Sequence, residues 1–153
     1  MLNETDILPD GLLEANATEL LDLLGTPTLI HLQGKKPEPL FISTLLHGNE
    51  TTGFYAVQRL LKEYQDKPLP RSVSVFIGNV EAAAAEQRRL DRQPDYNRVW
   101  PGTHHDNCAE TDMMRYISNI MRKRKPFASI DIHKNTGLNP HYACVNILNP
   151  HCI

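Results

Sequence analysis

The chain has 153 residues, of which 41% are hydrophobic and 22% charged, and its formal net charge is −2. This composition is that of a globular domain large enough to bury a sizeable core. The small net charge argues against nucleic acid or an anionic membrane surface as a partner. No stretch approaches the roughly 18 consecutive apolar residues of a membrane-spanning helix.

Hydrophobic periodicity predicts strands that alternate with helices. In chain order, the pattern predicts a helix over 17–24, strands over 28–33 and 39–46, a helix over 51–65, a strand over 72–79, helices over 81–88 and 110–125, and strands over 127–133 and 142–148. Residues 89–107 form a long polar stretch without a clear pattern, and such loops are often functional. The alternation predicts an α/β fold, with one domain over 1–153 whose sheet is covered by helices on both faces.

Polar side chains follow three of the predicted strands. His47 and Glu50 come directly after the strand 39–46, His133 ends the strand 127–133, and Asn79 ends the strand 72–79. Ligands of open α/β sheets gather outside the carboxyl ends of the strands. We therefore expect these side chains to meet at one edge of the sheet.

Two histidines and a glutamate of this set match the donors of hydrolytic zinc sites. Such sites take three protein ligands and leave the fourth position to water, and His47, Glu50 and His133 supply three donors of the right type. Asp95 and Asp131 are carboxylates that can accept hydrogen bonds from the ligand imidazoles. The alternative is chance, because a lone His-x-x-Glu is weak evidence in a chain with 7 histidines.

The remaining histidines have simpler interpretations. His31 lies in the middle of a predicted strand and is interpreted as a structural histidine with its hydrogen bonds satisfied. The others lie in loops or turns and are not expected to bind the metal: His104, His105, His141 and His151.

Four arginines lie in the loop 88–102, namely Arg88, Arg89, Arg92 and Arg98. A guanidinium can grip a substrate carboxylate with two parallel hydrogen bonds, and it can stabilise a developing oxyanion. The alternative is a solvated run of charge, which is the interpretation we prefer for Arg92. The loop is therefore a candidate for substrate binding beside the metal.

Four motifs resemble, in this order, those of the succinylglutamate desuccinylase/aspartoacylase family of the zinc carboxypeptidase-like superfamily. They are His-Gly-Asn-Glu at 47–50, Gly-Asn at 78–79, Asp-Tyr-Asn-Arg at 95–98 and Asp-Ile-His at 131–133. The resemblance extends over about residues 40–148. It implies a three-layer α/β/α fold with a mixed, mostly parallel sheet, and one Zn²⁺ held by His47, Glu50 and His133.

The same resemblance implies roles for the loop. Asn97 and Arg98 match the pair that binds a substrate carboxylate, and Asp95 matches an aspartate that we interpret as support for a ligand histidine. An upstream arginine polarises the scissile carbonyl in such enzymes. We assign this catalytic role to Arg89, although its spacing to Asn97 is one residue longer than usual, so Arg88 remains open.

Two features of the family are missing from the sequence. The family's glutamate that activates the zinc-bound water lies beyond the Asp-x-His motif, and none can be placed before Ile153. The smaller β-rich C-terminal domain is also absent. We therefore expect this chain to be the front portion of a catalytic domain, whether truncated, split or degenerate. We expect it to need a complementary C-terminal chain or self-association. On its own, it should hydrolyse N-acyl amino acids negligibly.

The first functional hypothesis is a zinc-dependent hydrolase that cleaves the amide bond of a small N-acyl amino acid. The alternatives are a zinc carboxypeptidase acting on peptide or cell-wall peptide ends, and a metal-binding fragment without turnover. The three cysteines, Cys108, Cys144 and Cys152, show no paired spacing, which favours a reducing compartment, the cytoplasm. An acidic N-terminus without an apolar run argues against a signal peptide.

Overall fold

The computed structural model describes residues 1–104, 107–134, 137, 140 and 142–144. Within them, the strands are β1 (Asn3–Thr5), β2 (Thr28–Leu32), β3 (Leu40–Thr44), β4 (Val73–Ile77) and β5 (Ala128–Asp131). The α-helices are α1 (Leu20–Leu24), α2 (Thr52–Lys62), α3 (Val80–Ala84) and α4 (Ala109–Arg124), and 3-10 turns form at Ala17–Glu19 and Tyr96–Arg98. None of the described helices combines the length and the apolar character needed to cross a bilayer.

The five strands form one mixed sheet in the order β1-β2-β4-β3-β5. β3 is parallel to both of its neighbours, β4 and β5, and β1 is parallel to β2, whereas β2 and β4 are antiparallel. The sheet is therefore mixed and mostly parallel, as the family resemblance implied. Because β3, β4 and β5 run in the same direction, the segments that follow them emerge at the same edge of the sheet.

Helices cover both faces of this sheet. Neighbouring residues of β4 point to opposite faces, as the pleat requires. Val75 belongs to a buried cluster with Phe54 of α2, whereas Phe76 belongs to a second buried cluster with Met114 of α4. Burying each such side chain contributes about 1.5–3 kcal/mol, so the two clusters fix a three-layer α/β/α arrangement.

The predicted elements up to residue 134 are present, most with shorter ends. The predicted helix over 17–24 is divided into the first 3-10 turn and α1, and it ends at Gly25, which has a φ of 71°. β1 was not predicted from the sequence. The predicted strand 142–148 lies mostly outside the described residues, and the part that is described, 142–144, is not in a strand.

Candidate metal centre

The chain leaves β3 through a residue with strained backbone. Leu45 has a φ of 54°, a left-handed conformation that is uncommon for a leucine. The backbone amides of Gly78 and Asn79, which follow β4, donate to the carbonyls of Thr44 and Leu45 at 3.0 and 2.7 Å. These hydrogen bonds join the ends of β3 and β4. His47, two residues after Leu45, is buried beside this junction, with 2% of its surface exposed.

Gly48 allows the loop after β3 to lie against α3. A Cβ atom at this position would come within 2.2 Å of backbone atoms of Ala82 and Ala83, so a larger residue does not fit without moving the helix. The Gly48 amide also donates to the carbonyl of Arg88 at 3.1 Å. The glycine therefore permits this close backbone approach, and its amide joins the loop to the loop 88–102, which contains the four arginines.

His47, Glu50 and His133 lie together at the carboxyl edge of the sheet. The Nδ1 atoms of His47 and His133 each lie 2.9 Å from a different oxygen of the Glu50 carboxylate. One donor atom from each residue lies within 4.8 Å of the others, a spacing that could hold a metal ion. The backbone amide of Lys134 donates to Glu50 Oε2 at 3.0 Å and holds the segment after β5 against the cluster.

A second carboxylate faces the other side of each imidazole ring. Asp95 Oδ1 lies 2.9 Å from Nε2 of His47, and Asp131 Oδ2 lies 2.6 Å from Nε2 of His133. The other oxygen of Asp131 accepts a hydrogen bond from the Ser43 hydroxyl at 2.8 Å. Each ring is thus held between Glu50 and an outer aspartate, which fixes its orientation and directs Nδ1 toward Glu50.

The carboxylates change the titration of this cluster. The hydrogen bond to Asp131 raises the pKa of His133 to about 8, against the opposing effect of burial. Burial alone would raise the pKa of Asp95, but the hydrogen bonds from His47 and the Asn97 amide, with the charges of His47 and Arg88, lower it below its ordinary value. The cluster is therefore an environment that favours positive charge.

The two adjacent arginines of the loop have different partners. Arg88 donates from Nη1 to Glu50 Oε1 at 3.1 Å and from Nη2 to Asp95 Oδ2 at 3.4 Å. Arg89 donates to the backbone carbonyl of Gln93 at 2.6 Å. The structure thus brings Arg88 into the cluster and not Arg89, whose catalytic role stays a prediction.

Asn97 and Arg98 lie in the 3-10 turn that follows Asp95. The Asp95 carboxylate caps this turn by accepting a hydrogen bond from the Asn97 amide at 2.9 Å. The same carboxylate binds His47, so the turn is attached directly to the cluster. Arg98 is exposed, and its guanidinium forms no hydrogen bond or ion pair with the described part of the chain.

Comparisons with known proteins identify the family and the fold of the chain. The sequence profile of the succinylglutamate desuccinylase/aspartoacylase catalytic domain matches residues 33–150. The chain belongs to this family. The structure of succinylglutamate desuccinylase from Vibrio parahaemolyticus is similar, with a TM-score of 0.51 and 20% identity over 65% of this chain and 36% of that one. The enzyme of the same name from Vibrio cholerae has a TM-score of 0.51 and 14% identity, over 65% and 31%.

This member of the family spans about a third of the length of those two proteins, of which 36% and 31% are covered. None of the curated proteins matches the sequence. At these identities the likeness to the two structures concerns the fold alone.

Sequence reasoning missed two residues that support the cluster of this family member. Ser43 is one, and its only signal was that it and Thr44 are polar residues in an otherwise apolar strand. Gln93 is the other, and its side-chain oxygen accepts from the Asn79 side chain and the Leu90 amide, both at 3.0 Å. Its side-chain nitrogen donates to Glu81 at 2.6 Å. Gln93 thereby connects the loop 88–102 to α3, and no local sequence pattern predicted this role.

A second histidine network, which we call the His31 network, links β1, β2, β4 and α4. His31 Nδ1 lies 2.8 Å from the Ser74 hydroxyl, and Nε2 lies 3.0 Å from Glu4 Oε1. The other oxygen of Glu4 accepts from the Tyr116 hydroxyl at 2.8 Å. Burial is the main cause that lowers the pKa of His31. The prediction of a structural histidine with both nitrogens satisfied is confirmed.

Proposed function

We propose that this chain carries the zinc site of a hydrolase that cleaves the amide bond of an N-acyl amino acid. The observation that carries the proposal is the convergence of two imidazole Nδ1 atoms on the Glu50 carboxylate, each ring being backed by its own aspartate. Two histidines and one glutamate are a donor set of hydrolytic zinc sites, and a carboxylate behind each histidine is the usual support. The residues therefore fit zinc.

In this proposal His47, Glu50 and His133 hold one zinc ion. The ion, when bound, would polarise the substrate carbonyl and lower the pKa of a water molecule. Asp95 and Asp131 keep both rings in the tautomer that carries hydrogen on Nε2, since a carboxylate can only accept. They thus leave Nδ1 of each ring free to bind the metal. Ser43 in turn orients Asp131.

Arg98, with Asn97 beside it, is proposed to bind the carboxylate of the substrate. An N-acyl amino acid keeps its α-carboxylate, and a planar guanidinium can bind it with two hydrogen bonds. Arg98 is exposed in the turn attached to Asp95, and its guanidinium has no partner among the described residues, which supports this role. In an active preparation, Arg98→Lys should raise KM markedly, because an ammonium cannot reproduce the fork. An unchanged KM would refute the assignment.

The arginine that polarises the scissile carbonyl is assigned to Arg89 from the family resemblance, with Arg88 as the alternative. The contacts of Arg88 with Glu50 and Asp95 favour the alternative. Contacts with a developing oxyanion strengthen in the transition state, so removing the arginine concerned should lower kcat. If Arg88→Ala lowers kcat and Arg89→Ala does not, the assignment to Arg89 is wrong by one residue.

Metal analysis tests the zinc site directly. The purified protein should contain one zinc per chain by plasma mass spectrometry, and His47→Ala should remove most of it. His104→Ala is the matched control, because His104 is an exposed histidine outside the cluster. The control should keep its zinc. Full retention of zinc in His47→Ala would overturn the site.

A substrate panel tests the reaction. N-acyl amino acids with different acyl groups are compared with peptides that end in a free carboxylate, at neutral pH and with reducing agent, since we place the protein in the cytoplasm. Release of an acid from the first group supports the proposal. Cleavage of the peptides alone would favour the carboxypeptidase alternative, and zinc binding without hydrolysis would favour a metal-binding module.

A further inference from the structure

Arg88 occupies a position from which it affects the metal site before any substrate arrives. Its guanidinium lies 3.1 Å from Glu50 Oε1 and 3.4 Å from Asp95 Oδ2, so it bridges one proposed zinc ligand and the support of another. Its own backbone carbonyl accepts from the Gly48 amide at 3.1 Å. Arg88 is thus attached to the His-Gly-Asn-Glu loop at both its backbone and its side chain.

Four polar groups already lie within hydrogen-bond distance of the Glu50 carboxylate. Oε1 accepts from Arg88 and lies 2.9 Å from Nδ1 of His47, and Oε2 accepts from the Lys134 amide and lies 2.9 Å from Nδ1 of His133. Arg88 provides the one permanent cation among these donors, because a guanidinium does not lose its proton in proteins. The imidazoles can release their protons to a metal, whereas Arg88 keeps its charge beside the same oxygen.

We propose that Arg88 sets the metal affinity of the site by acting as a fixed cation that competes with the metal for the Glu50 carboxylate. The inference rests on the zinc site proposed above. Three carboxylates surround the two rings, namely those of Glu50, Asp95 and Asp131. Arg88 neutralises one of these three charges and thereby lowers the attraction of the site for a divalent ion.

This effect has the opposite sign to that of every other residue in the cluster. Removing a ligand or a supporting aspartate weakens metal binding, since a donor or its orientation is lost. Removing Arg88 takes away a positive charge close to the ion and leaves the ligands in place. Its side chain is about half exposed, at 51%, so solvent screens part of the repulsion. We expect an increase in affinity of roughly 10-fold.

The test is a zinc titration of the full chain against a chromophoric chelator at fixed pH and ionic strength. Arg88→Met keeps the aliphatic stem and removes the charge, and it should bind zinc roughly 10-fold more tightly than the unaltered protein. Arg88→Lys keeps the charge and should stay within roughly 3-fold of it. Arg92→Met is the matched control, an exposed arginine of the same loop, and should change nothing.

The outcomes separate the two proposals. If the unaltered protein binds zinc and Arg88→Met binds it equally or less tightly, Arg88 is a structural support and the inference fails, while the zinc site stands. If the unaltered protein binds no zinc, the zinc site itself fails and takes the inference with it. Should Arg88→Met not fold, as judged by circular dichroism, Arg88→Gln removes the same charge with a polar side chain and decides the question.

Discussion

The protein contains two histidine networks with different chemistry, each with a buried histidine, His31 in one and His47 in the other. In the His31 network, one ring nitrogen meets a hydroxyl and the other meets a carboxylate. At the candidate metal centre, both nitrogens of His47 and of His133 meet carboxylates. The first environment lowers the pKa of its histidine and the second raises that of His133 to about 8.

The difference separates a structural histidine from one whose surroundings suit a bound cation. A hydroxyl can donate, so a neutral His31 satisfies Ser74 and Glu4 at the same time. Two carboxylates can only accept, so the rings of the metal centre are satisfied by positive charge, either as protons or as a metal on Nδ1. The number of carboxylates around a histidine therefore distinguishes the two networks better than burial does.

The largest expected difference in zinc affinity is between variants that neutralise the central carboxylate of one network or of the other. Glu50→Gln removes the charge that both rings of the metal centre share, and it should weaken zinc binding by roughly 100-fold or more, beyond what loss of an outer support costs. Glu4→Gln makes the same chemical change in the His31 network and should leave zinc binding unchanged. Competition titrations of both variants check this, and equal zinc affinities would abolish the distinction between the networks.

A smaller effect is expected from the outer carboxylate of His47. Asp95→Asn keeps the shape of the side chain but loses the charge behind the ring, so zinc affinity should fall roughly 10–100-fold. Asp91→Asn is the control, because Asp91 is an exposed aspartate of the same loop. The same titration measures both. An unchanged affinity in Asp95→Asn would remove this residue from the site.

The two networks should give opposite pH dependence to the stability of the chelator-treated protein. The lowered pKa of His31 gives a contribution that is complete above its ordinary value of 6.5 and is lost as the pH falls. The raised pKa of His133 gives a contribution that is complete below 6.5 and is lost as the pH rises through about 8. Urea unfolding from pH 5 to 9 measures both effects.

Single variants assign the two limbs of that pH profile. His31→Gln should flatten the acidic limb, and His133→Gln should flatten the limb between pH 6.5 and 8. Each limb can change by at most about 1.4 kcal/mol per pH unit for one proton. An acidic limb that persists in His31→Gln would mean that other groups carry the dependence.

The smallest effects concern two buried hydroxyls on neighbouring strands. Ser43 donates to Asp131 and Ser74 contacts His31, each at 2.8 Å. Ser43→Ala should weaken zinc binding a few-fold, because Asp131 loses part of its orientation. Ser74→Ala should leave zinc binding intact and lower the free energy of unfolding by about 1–3 kcal/mol, because a His31 nitrogen is left unsatisfied. If both variants changed zinc affinity alike, the networks would be coupled.

Much of the fold was predictable because its strands and helices are strongly patterned. The buried β-branched strand β4 and the amphipathic α4 carry clear signals, and so do the polar residues where β3 and β5 end. β1 has the sequence Asn-Glu-Thr, which carries no apolar pattern, and it is a strand because it pairs with β2. Its assignment therefore needs the tertiary structure.

The candidate ligands could be named from the sequence, but their surroundings could not. Arg88 and Arg89 are adjacent and chemically identical, so the sequence does not show which of them reaches the cluster. In the structure Arg88 contacts Glu50 and its carbonyl accepts from the Gly48 amide, whereas Arg89 donates to the Gln93 carbonyl. Asp131 accepts from Ser43, which lies 88 residues earlier in the chain. Such pairs form only when distant strands meet, so no local window contains them.

The long separation between the two sides of the metal centre has a consequence for the folding pathway. Glu50 meets His133 and Lys134, which follow it by 83 and 84 residues, and this meeting requires β5 to dock beside β3. Closing a loop of that length costs entropy before its contacts form, so contacts of such high sequence separation are slow to form. The candidate centre is therefore completed late in folding. The rate at which zinc binding appears during refolding would measure how fast the edge strand β5 docks beside β3.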